Sequence, residues 1–138
     1  MAKVVTLGEI MLRLSPPGYQ RFAQARDFEI NYGGAEANVA ASLAEFGHHS
    51  VFLSKIPENA IGDAAISTLR SLNVDCDHIA RGGKRLGIYF LENGASVLPV
   101  LFMTVQIPQS PKQFLMNLIS TKSLKMLIFF MYPASLRY

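Results

Sequence analysis

The chain has very little cysteine. Its 138 residues include only Cys76, and one cysteine cannot form an internal disulfide, which is typical of a protein from a reducing compartment. Asp75 and Asp77 flank Cys76, and their negative charges are expected to raise the pKa of the thiol. We therefore interpret Cys76 as a structural residue rather than a nucleophile.

Long apolar runs and blocks of one charge are also absent. The longest apolar run late in the chain, residues 126–132, is far shorter than the roughly 20 residues that span a bilayer. The apolar run before Gly8 lacks the length and cleavage site of a signal peptide. The net charge is only +3 and the basic residues are scattered, so no basic stripe indicates nucleic-acid binding. We expect a cytoplasmic protein with no membrane and no nucleic-acid partner.

The end of the sequence lacks whole residue types. Residues 98–138 contain no glycine, aspartate, glutamate or histidine, and the last acidic residue is Glu92. Natural domains rarely omit all acidic residues and all glycines for so long. We therefore divide the chain into residues 1–97, which have the pattern of a folded domain, and residues 98–138, an anomalous tail.

Residues 1–97 show alternating strand and helix patterns. Short β-branched or alternating apolar runs predict strands, and an alanine-rich or period-3.6 pattern predicts helices. The predicted strands are residues 4–7, 28–32, 50–54, 77–80 and 86–92, with extended chain at 9–14. The predicted helices start at Ala35, ending at Gly47, and at Asn59, ending at Leu72 with Asn73 as cap. This order indicates an α/β domain with a mostly parallel sheet.

The segment that indicates chemistry is residues 32–40. Gly33 and Gly34 end a strand and open a helix, so the backbone there can approach a ligand closely and the helix offers free N–H donors. Asn38 lies one turn into that helix, and its amide both donates and accepts hydrogen bonds, which suits a polyol hydroxyl better than a phosphate. Taken alone, the segment is better explained as a strand-to-helix turn with a capping asparagine. It is not a dinucleotide fingerprint, because no third glycine has the required spacing.

The same segment carries a family resemblance. Gly33-Gly34-Ala35 followed by Asn38-Val39-Ala40 resembles the first signature of the PfkB, or ribokinase-like, sugar kinases. Residues 54–63 and 69–75 are also similar to that family, although Asn73 stands where glycine is usual. The resemblance covers residues 4–97. It implies a mostly parallel sheet flanked by helices, with a small β lid built from strands within about 9–32 and 78–97, incomplete at the C-terminus.

Two further segments resemble the 2-keto-3-deoxygluconate kinase branch. They are residues 11–18, with Arg21-Phe22 following, and residues 86–92. The resemblance implies that Tyr89 reaches the sugar acid, whereas the residue by itself is equally explained as a half-buried strand aromatic. The predicted substrate-binding residues are Gly33, Gly34, Asn38 and Tyr89. A fructokinase- or ribokinase-type substrate, a nucleotide-independent sugar-binding fragment, and a structural module that forms a homodimer through its lid strands are the alternatives.

The resemblance also implies what the chain does not contain. Family members are longer, use ATP and Mg²⁺, and carry their catalytic aspartate in a later Gly-Ala-Gly-Asp-like motif that this sequence lacks. We therefore expect no catalytic, cofactor-binding or metal-binding residue in this chain. The adjacent His48 and His49 have no neighbouring cluster of metal ligands, which favours a solvated turn over a metal site.

The composition of the tail suggests a frameshift soon after Val97. Joining the third base of each codon to the first two bases of the next forces aspartate at Met103-Thr104 and valine at Met131-Tyr132. The codons around the first position permit Tyr-Asp-Arg-Ala-Asn-Ser, which resembles the kinase branch at the corresponding place. The alternative is that residues 98–138 are a divergent but genuine segment.

Overall fold

The computed structural model describes residues 2–93 and the backbone of the two strands Val100–Thr104 and Leu127–Phe129. Three of its strands form a parallel sheet in the order β4-β1-β9. These are β1 (Lys3–Leu7), β4 (His49–Leu53) and β9 (Leu127–Phe129). The strands predicted at residues 4–7 and 50–54 are thereby confirmed, and their β-branched and aromatic residues suit a buried parallel sheet.

A second sheet, called here the lid sheet, has the strand order β3-β2-β7-β8. Its strands are β2 (Met11–Ser15), β3 (Glu29–Gly33), β7 (Gly87–Glu92) and β8 (Val100–Thr104). The pairs β2–β3 and β7–β8 are antiparallel, whereas β2 and β7 are parallel. The alternating pattern of residues 28–32 therefore does correspond to a strand. The lid sheet also extends beyond the expected limit of residue 97, because β8 lies on the far side of it.

Two helices follow the strands, as predicted. Helix α1 (Ala35–Glu45) is followed by Gly47 at a φ of +79°, the left-handed conformation that commonly closes a helix. Helix α2 (Ala60–Ser71) begins at Asn59, whose side chain accepts a 2.9 Å hydrogen bond from the Gly62 N–H. Asn73 follows α2 with a φ of +60°, the one positive φ among the non-glycine residues that the structure describes. No helix within these residues is long and apolar enough to cross a membrane.

The predicted strand at residues 77–80 is wrong. The Asp77 N–H donates to the Asp75 carboxylate at 3.0 Å and the Ile79 N–H donates to the Cys76 carbonyl oxygen at 3.2 Å, which makes a turn. Only β6 (Ala80–Arg81) is extended, and it pairs in parallel with β5 (Lys55–Ile56) in a separate two-stranded sheet. The Asp75 side chain therefore binds the Asp77 N–H, which in the predicted strand would have formed a backbone hydrogen bond to a neighbouring strand.

Both helices, strand β4 and one face of the lid sheet meet in a single core cluster. Its buried members are apolar and many are small (Ile10, Leu12, Ala37, Ala40, Phe52, Ile56, Ala65, Ile66, Leu69, Val74, Cys76 and Leu86). The alanines let α1 and α2 lie close to the sheet. Burial raises the pKa of the Cys76 thiol to about 11, as expected for a structural cysteine.

Candidate functional site

Gly34 is required by a close approach of two backbones. It is the N-cap of α1 and has an extended conformation that any residue can adopt. A Cβ atom at this position would collide with the carbonyl oxygen of Glu9 and would lie 3.4 Å from the Ile10 Cα. The junction between β3 and α1 therefore packs directly on the segment that joins β1 to β2, and only glycine fits there.

Gly33, Asn38 and Tyr89 meet at this junction. A Cβ atom placed on Gly33 would lie 3.5 Å from the Asn38 Oδ1 and 3.5 Å from the Tyr89 hydroxyl oxygen. The structure thus brings together residues from β3, from the first turns of α1 and from β7, which is more than 50 residues away in the sequence. The space above Gly33 is bordered by an amide and a phenol, both of which can donate and accept hydrogen bonds.

Helix α1 begins at the same place. The Asn38 N–H donates to the Gly34 carbonyl oxygen at 2.8 Å, so the N–H groups of residues 35–37 precede the first intrahelical bond and form the positive end of the helix dipole. No side chain caps them in the structure. Ala35 and Asn38 are exposed and Tyr89 is half-buried, so the junction is open to a ligand.

Two carboxylates lie beside the junction. The Glu9 carboxylate is in contact with Gly87, and the Glu36 carboxylate lies over Gly8. Burial raises the pKa of Glu9, the negative charge of Glu36 raises it further, and Arg85 opposes the shift. The local sequence gives no reason to pair them, because α1 has to fold back over residues 8–9 before the two carboxylates become neighbours.

The sequence interpretation did not single out Arg13, which lies in the middle of β2. It is the only charged residue in the strand Met11–Ser15, and β2 aligns it with Tyr89 of β7 and with Asn31 of β3. The available signal was a charge inside an otherwise apolar strand. The position of Arg13 beside Tyr89 follows only from the pairing of β2 with β7, which the local sequence pattern does not indicate.

An ion pair holds the loop after β2 against β7. Arg21 forms an ion pair with Glu92, whose other carboxylate oxygen accepts a 2.8 Å hydrogen bond from the Phe22 N–H. This N–H is the main cause that lowers the pKa of Glu92, with Arg21 adding to it against the effect of burial. Phe22, Phe28 and Phe90 pack together with ring centroids 6.1–6.3 Å apart. The loop is thereby fixed to the strand that carries Tyr89.

The described residues do not fit a nucleotide and its Mg²⁺. No group of three or more histidine, cysteine, aspartate or glutamate side chains is placed among them to hold a metal ion. The N-terminus of α1 lies next to Glu9 and Glu36, whose charges would repel a triphosphate. The N-terminus of α2 is already capped by Asn59. We therefore derive no phosphoryl-transfer step from this part of the chain.

A mostly parallel sheet with flanking helices, a small lid sheet, and a Gly-Gly junction facing a lid tyrosine together define a ribokinase-like sugar kinase fold. Residues 1–105 match the sequence model of the pfkB family carbohydrate kinases, and the chain belongs to that family. The match includes β8 and so passes residue 97.

Solved structures and curated relatives agree with this assignment. The 2-dehydro-3-deoxygluconokinase of Thermotoga maritima is 55% identical with a TM-score of 0.73, over 75% of this chain and 32% of that one. An uncharacterized sugar kinase of Pyrococcus horikoshii, solved in complex with ATP, is 30% identical with a TM-score of 0.67, over 75% of this chain and 34% of that one. The 2-dehydro-3-deoxygalactonokinase of Haloferax volcanii is 37% identical over 98 residues, 71% of this chain and 31% of the relative. The chain thus spans about a third of the length of these proteins.

Proposed function

We propose that this chain carries the sugar-binding part of a kinase that transfers the γ-phosphate of ATP to a hydroxyl of 2-keto-3-deoxygluconate, also called 2-dehydro-3-deoxygluconate. The observation that carries the proposal is the meeting of Gly33, Asn38 and the Tyr89 hydroxyl group at one end of α1. The names of two relatives support the substrate, because both designate kinases of 2-dehydro-3-deoxy sugar acids.

Each predicted site residue has a role in this proposal. Gly33 leaves open the space between Asn38 and Tyr89, which a ligand hydroxyl group fills. Asn38 donates to and accepts from sugar hydroxyl groups, and Tyr89 binds the sugar acid from the lid side. Gly34 holds the junction close to residues 9–10, so that the free N–H groups of α1 face the same space.

We propose in addition that this chain alone does not phosphorylate a sugar. The described residues fit no nucleotide, and the matched part of the chain covers only about a third of the relatives' length. The shifted codons support a frameshift after residue 97, with residues 98–138 an unselected tail, whereas the family match to residue 105 and strand β8 support a genuine segment up to that point. The intact protein would then be a cytoplasmic kinase that uses ATP and Mg²⁺.

A titration of the purified chain with 2-keto-3-deoxygluconate in a calorimeter tests the binding role. We expect saturable binding that weakens about tenfold in Asn38→Ala, because one or two hydrogen bonds are lost. Ser42→Ala, an exposed change on the same helix, is the matched control and should bind like the wild type. An Asn38→Ala variant that binds normally would remove Asn38 from the site. ATP-dependent phosphorylation of the sugar acid by the chain alone would contradict the proposed inactivity.

Resequencing the gene from codon 94 onward tests the frameshift. A shifted frame that continues into a Gly-Ala-Gly-Asp-like motif would support a kinase whose catalytic part follows in that frame. A shifted frame that closes within a few codons would make the tail genuine and leave only the sugar-binding role.

The homodimer through the lid strands stays a prediction. Strand β3 exposes Ile30 by 63% of its surface and has no partner on its outer side within the described part of the chain. Light scattering across a range of protein concentrations, with Ile30→Lys as the disrupting variant, would test it. A monomer at every concentration would contradict it.

A further inference from the structure

Arg13 lies on the face of the lid sheet that carries the candidate site. In β2 it is paired in register with Tyr89 on one side and Asn31 on the other, and residues that are directly paired point to the same face of a sheet. Its neighbour Leu12 is paired with Ile88 and packs into the core cluster on the opposite face. The Arg13 side chain is therefore next to Tyr89, whose hydroxyl group borders the space above Gly33.

Within the described residues, Arg13 has no acidic partner. The ion pairs there use Arg21, His49, Arg70 and Arg81. Arg85, and not Arg13, is the cation that opposes the raised pKa of Glu9. A positive charge thus stands on the ligand-facing side of the lid without compensation from this part of the protein.

The guanidinium group of Arg13 is also incompletely hydrogen-bonded. The side chain is half-buried, and its Nε atom is shielded from solvent with no hydrogen-bond acceptor among the described residues. A shielded N–H group without an acceptor is unfavourable, since its hydration has been lost and nothing has replaced it. An anionic ligand in the neighbouring space would supply the missing acceptor.

Among the groups of an unphosphorylated sugar or sugar acid, a carboxylate matches the guanidinium group best. The planar guanidinium presents parallel N–H donors at the spacing of two carboxylate oxygens, and a pair of this kind is stronger than a hydrogen bond between neutral groups. The neutral groups already at the site, Asn38 and Tyr89, suit hydroxyl groups. One cation beside two neutral hydrogen-bonding groups fits a ligand that has one carboxylate and several hydroxyl groups.

We propose that Arg13 binds the carboxylate of the sugar acid and makes the site selective for sugar acids over neutral sugars. This assignment rests on the proposed sugar-binding function, and it names the residue that determines the class of sugar. Glu9 lies over Gly87, two positions before Tyr89 in β7, and Glu36 lies over Gly8. Their charges disfavour a carboxylate at that end of the site, so the acid end of the ligand is expected two positions further along the paired strands, at Arg13 and Tyr89.

The test compares two ligands that differ only at the acid group. Calorimetry on the full chain measures Kd for 2-keto-3-deoxygluconate and for 3-deoxyfructose, in which a hydroxymethyl group replaces the carboxylate. Arg13→Gln should weaken binding of the acid by about ten- to a hundredfold, the range for hydrogen bonds to charged groups. Binding of the neutral sugar should change by less than about twofold.

Two further variants control this comparison. Arg13→Lys keeps the charge but loses the Nε donor and the planar fork, so its loss for the acid should be intermediate, and it provides a folded variant if Arg13→Gln does not fold. Arg26→Gln removes the same charge from an exposed loop position and should bind both ligands normally. Circular dichroism verifies that each variant is folded.

The outcomes separate the two proposals. An unchanged Kd for the acid in folded Arg13→Gln and Arg13→Lys, or an equal loss for both ligands, would overturn the role of Arg13 while leaving the sugar site in place. A wild-type chain that binds neither ligand would overturn the sugar-binding function, and the role of Arg13 with it.

Discussion

The core cluster and the lid sheet share strand β2 but bury different kinds of group. The core cluster contains apolar side chains, and Phe52, Ile56, Ala40 and Ala65 have no exposed surface. The lid sheet instead shields polar groups, including the Nε of Arg13 and the carboxylate of Glu92. Polar groups are costly to bury, so the lid sheet is expected to contribute less to stability than the core cluster does. Substitutions in the core should therefore affect folding most, and those on the ligand-facing side of the lid should affect binding most.

The largest expected effect is on the core side. Phe52→Ala should lower the free energy of unfolding by about 3–5 kcal/mol, because it removes a fully buried ring and leaves a cavity between β4 and the helices. Urea unfolding followed by circular dichroism measures this change. Phe46→Ala, at a position 77% exposed, is the matched control and should stay within about 0.5 kcal/mol of the wild type. Equal losses in the two variants would contradict the core described above.

Gly33 and Gly34 are adjacent, but their substitution should affect different properties of the protein. Gly34→Ala should destabilise the fold by about 1–3 kcal/mol, because its methyl group meets the rigid backbone of Glu9. Gly33→Ala should fold normally, since its new methyl group makes only 3.5 Å contacts with Asn38 and Tyr89 and Gly33 has no positive φ.

The same methyl group of Gly33→Ala would occupy the space proposed for a ligand hydroxyl group. Binding of 2-keto-3-deoxygluconate should therefore weaken about tenfold or more while the unfolding curve is unchanged. A Gly33→Ala variant that is destabilised but binds normally would reverse the roles given to the two glycines. Unfolding and titration of the same preparations distinguish these results.

Local patterns predicted the elements whose signals lie within a few residues. The helices, their closing residues Gly47 and Asn73, and the strands β1 and β4 have such signals. The strand predicted at 77–80 was wrong because the Asp75 side chain competes for the Asp77 N–H, and period-two patterns do not register that competition. Gly33 and Asn38 were singled out by local chemistry together with resemblance, and Tyr89 by resemblance; the structure brings all three to one space.

The residues that were missed depend on pairing between distant segments. Alternation in β2 shows that Arg13 and Leu12 point to opposite faces, but it does not show which face carries the candidate site. That information comes from β7, in which Tyr89 is aligned with Arg13 across 76 positions of sequence. The proximity of Glu9 and Glu36 likewise follows from the packing of α1 on the loop after β1.

The ion pair of Glu92 tests whether a buried charge in the lid sheet stabilises it. The pKa of Glu92 lies below its ordinary value of 4.5, first because of the Phe22 N–H and then because of Arg21. A lowered pKa means that the stabilisation is present above that ordinary value and is lost as the pH falls through the folded-state pKa. Glu92→Gln should thus be less stable than the wild type at pH 7, and the difference should shrink towards pH 3.

Urea unfolding of both proteins at the two pH values measures this dependence. Glu58→Gln, at an exposed position before α2, is the control and should show little change at either pH. A difference between Glu92→Gln and the wild type that persists undiminished at low pH would mean that packing, and not the charge, accounts for the role of Glu92.

The smallest expected effect is a gain in stability, whereas the substitutions above cause losses. It concerns the segment between the core strand β1 and the lid strand β2. The pKa of Glu9 is raised, by burial first and by Glu36 second, so its ionised form destabilises the folded state and stability falls as the pH rises through that pKa. Glu9→Gln should therefore raise Tm slightly at pH 7 and leave it unchanged near pH 3, where the wild-type carboxyl group is protonated. Glu45→Gln, exposed at the end of α1, should not reproduce the gain. A loss of stability at pH 7 would instead show that the Glu9 carboxylate makes a stabilising contact, as Glu92 does in the lid sheet.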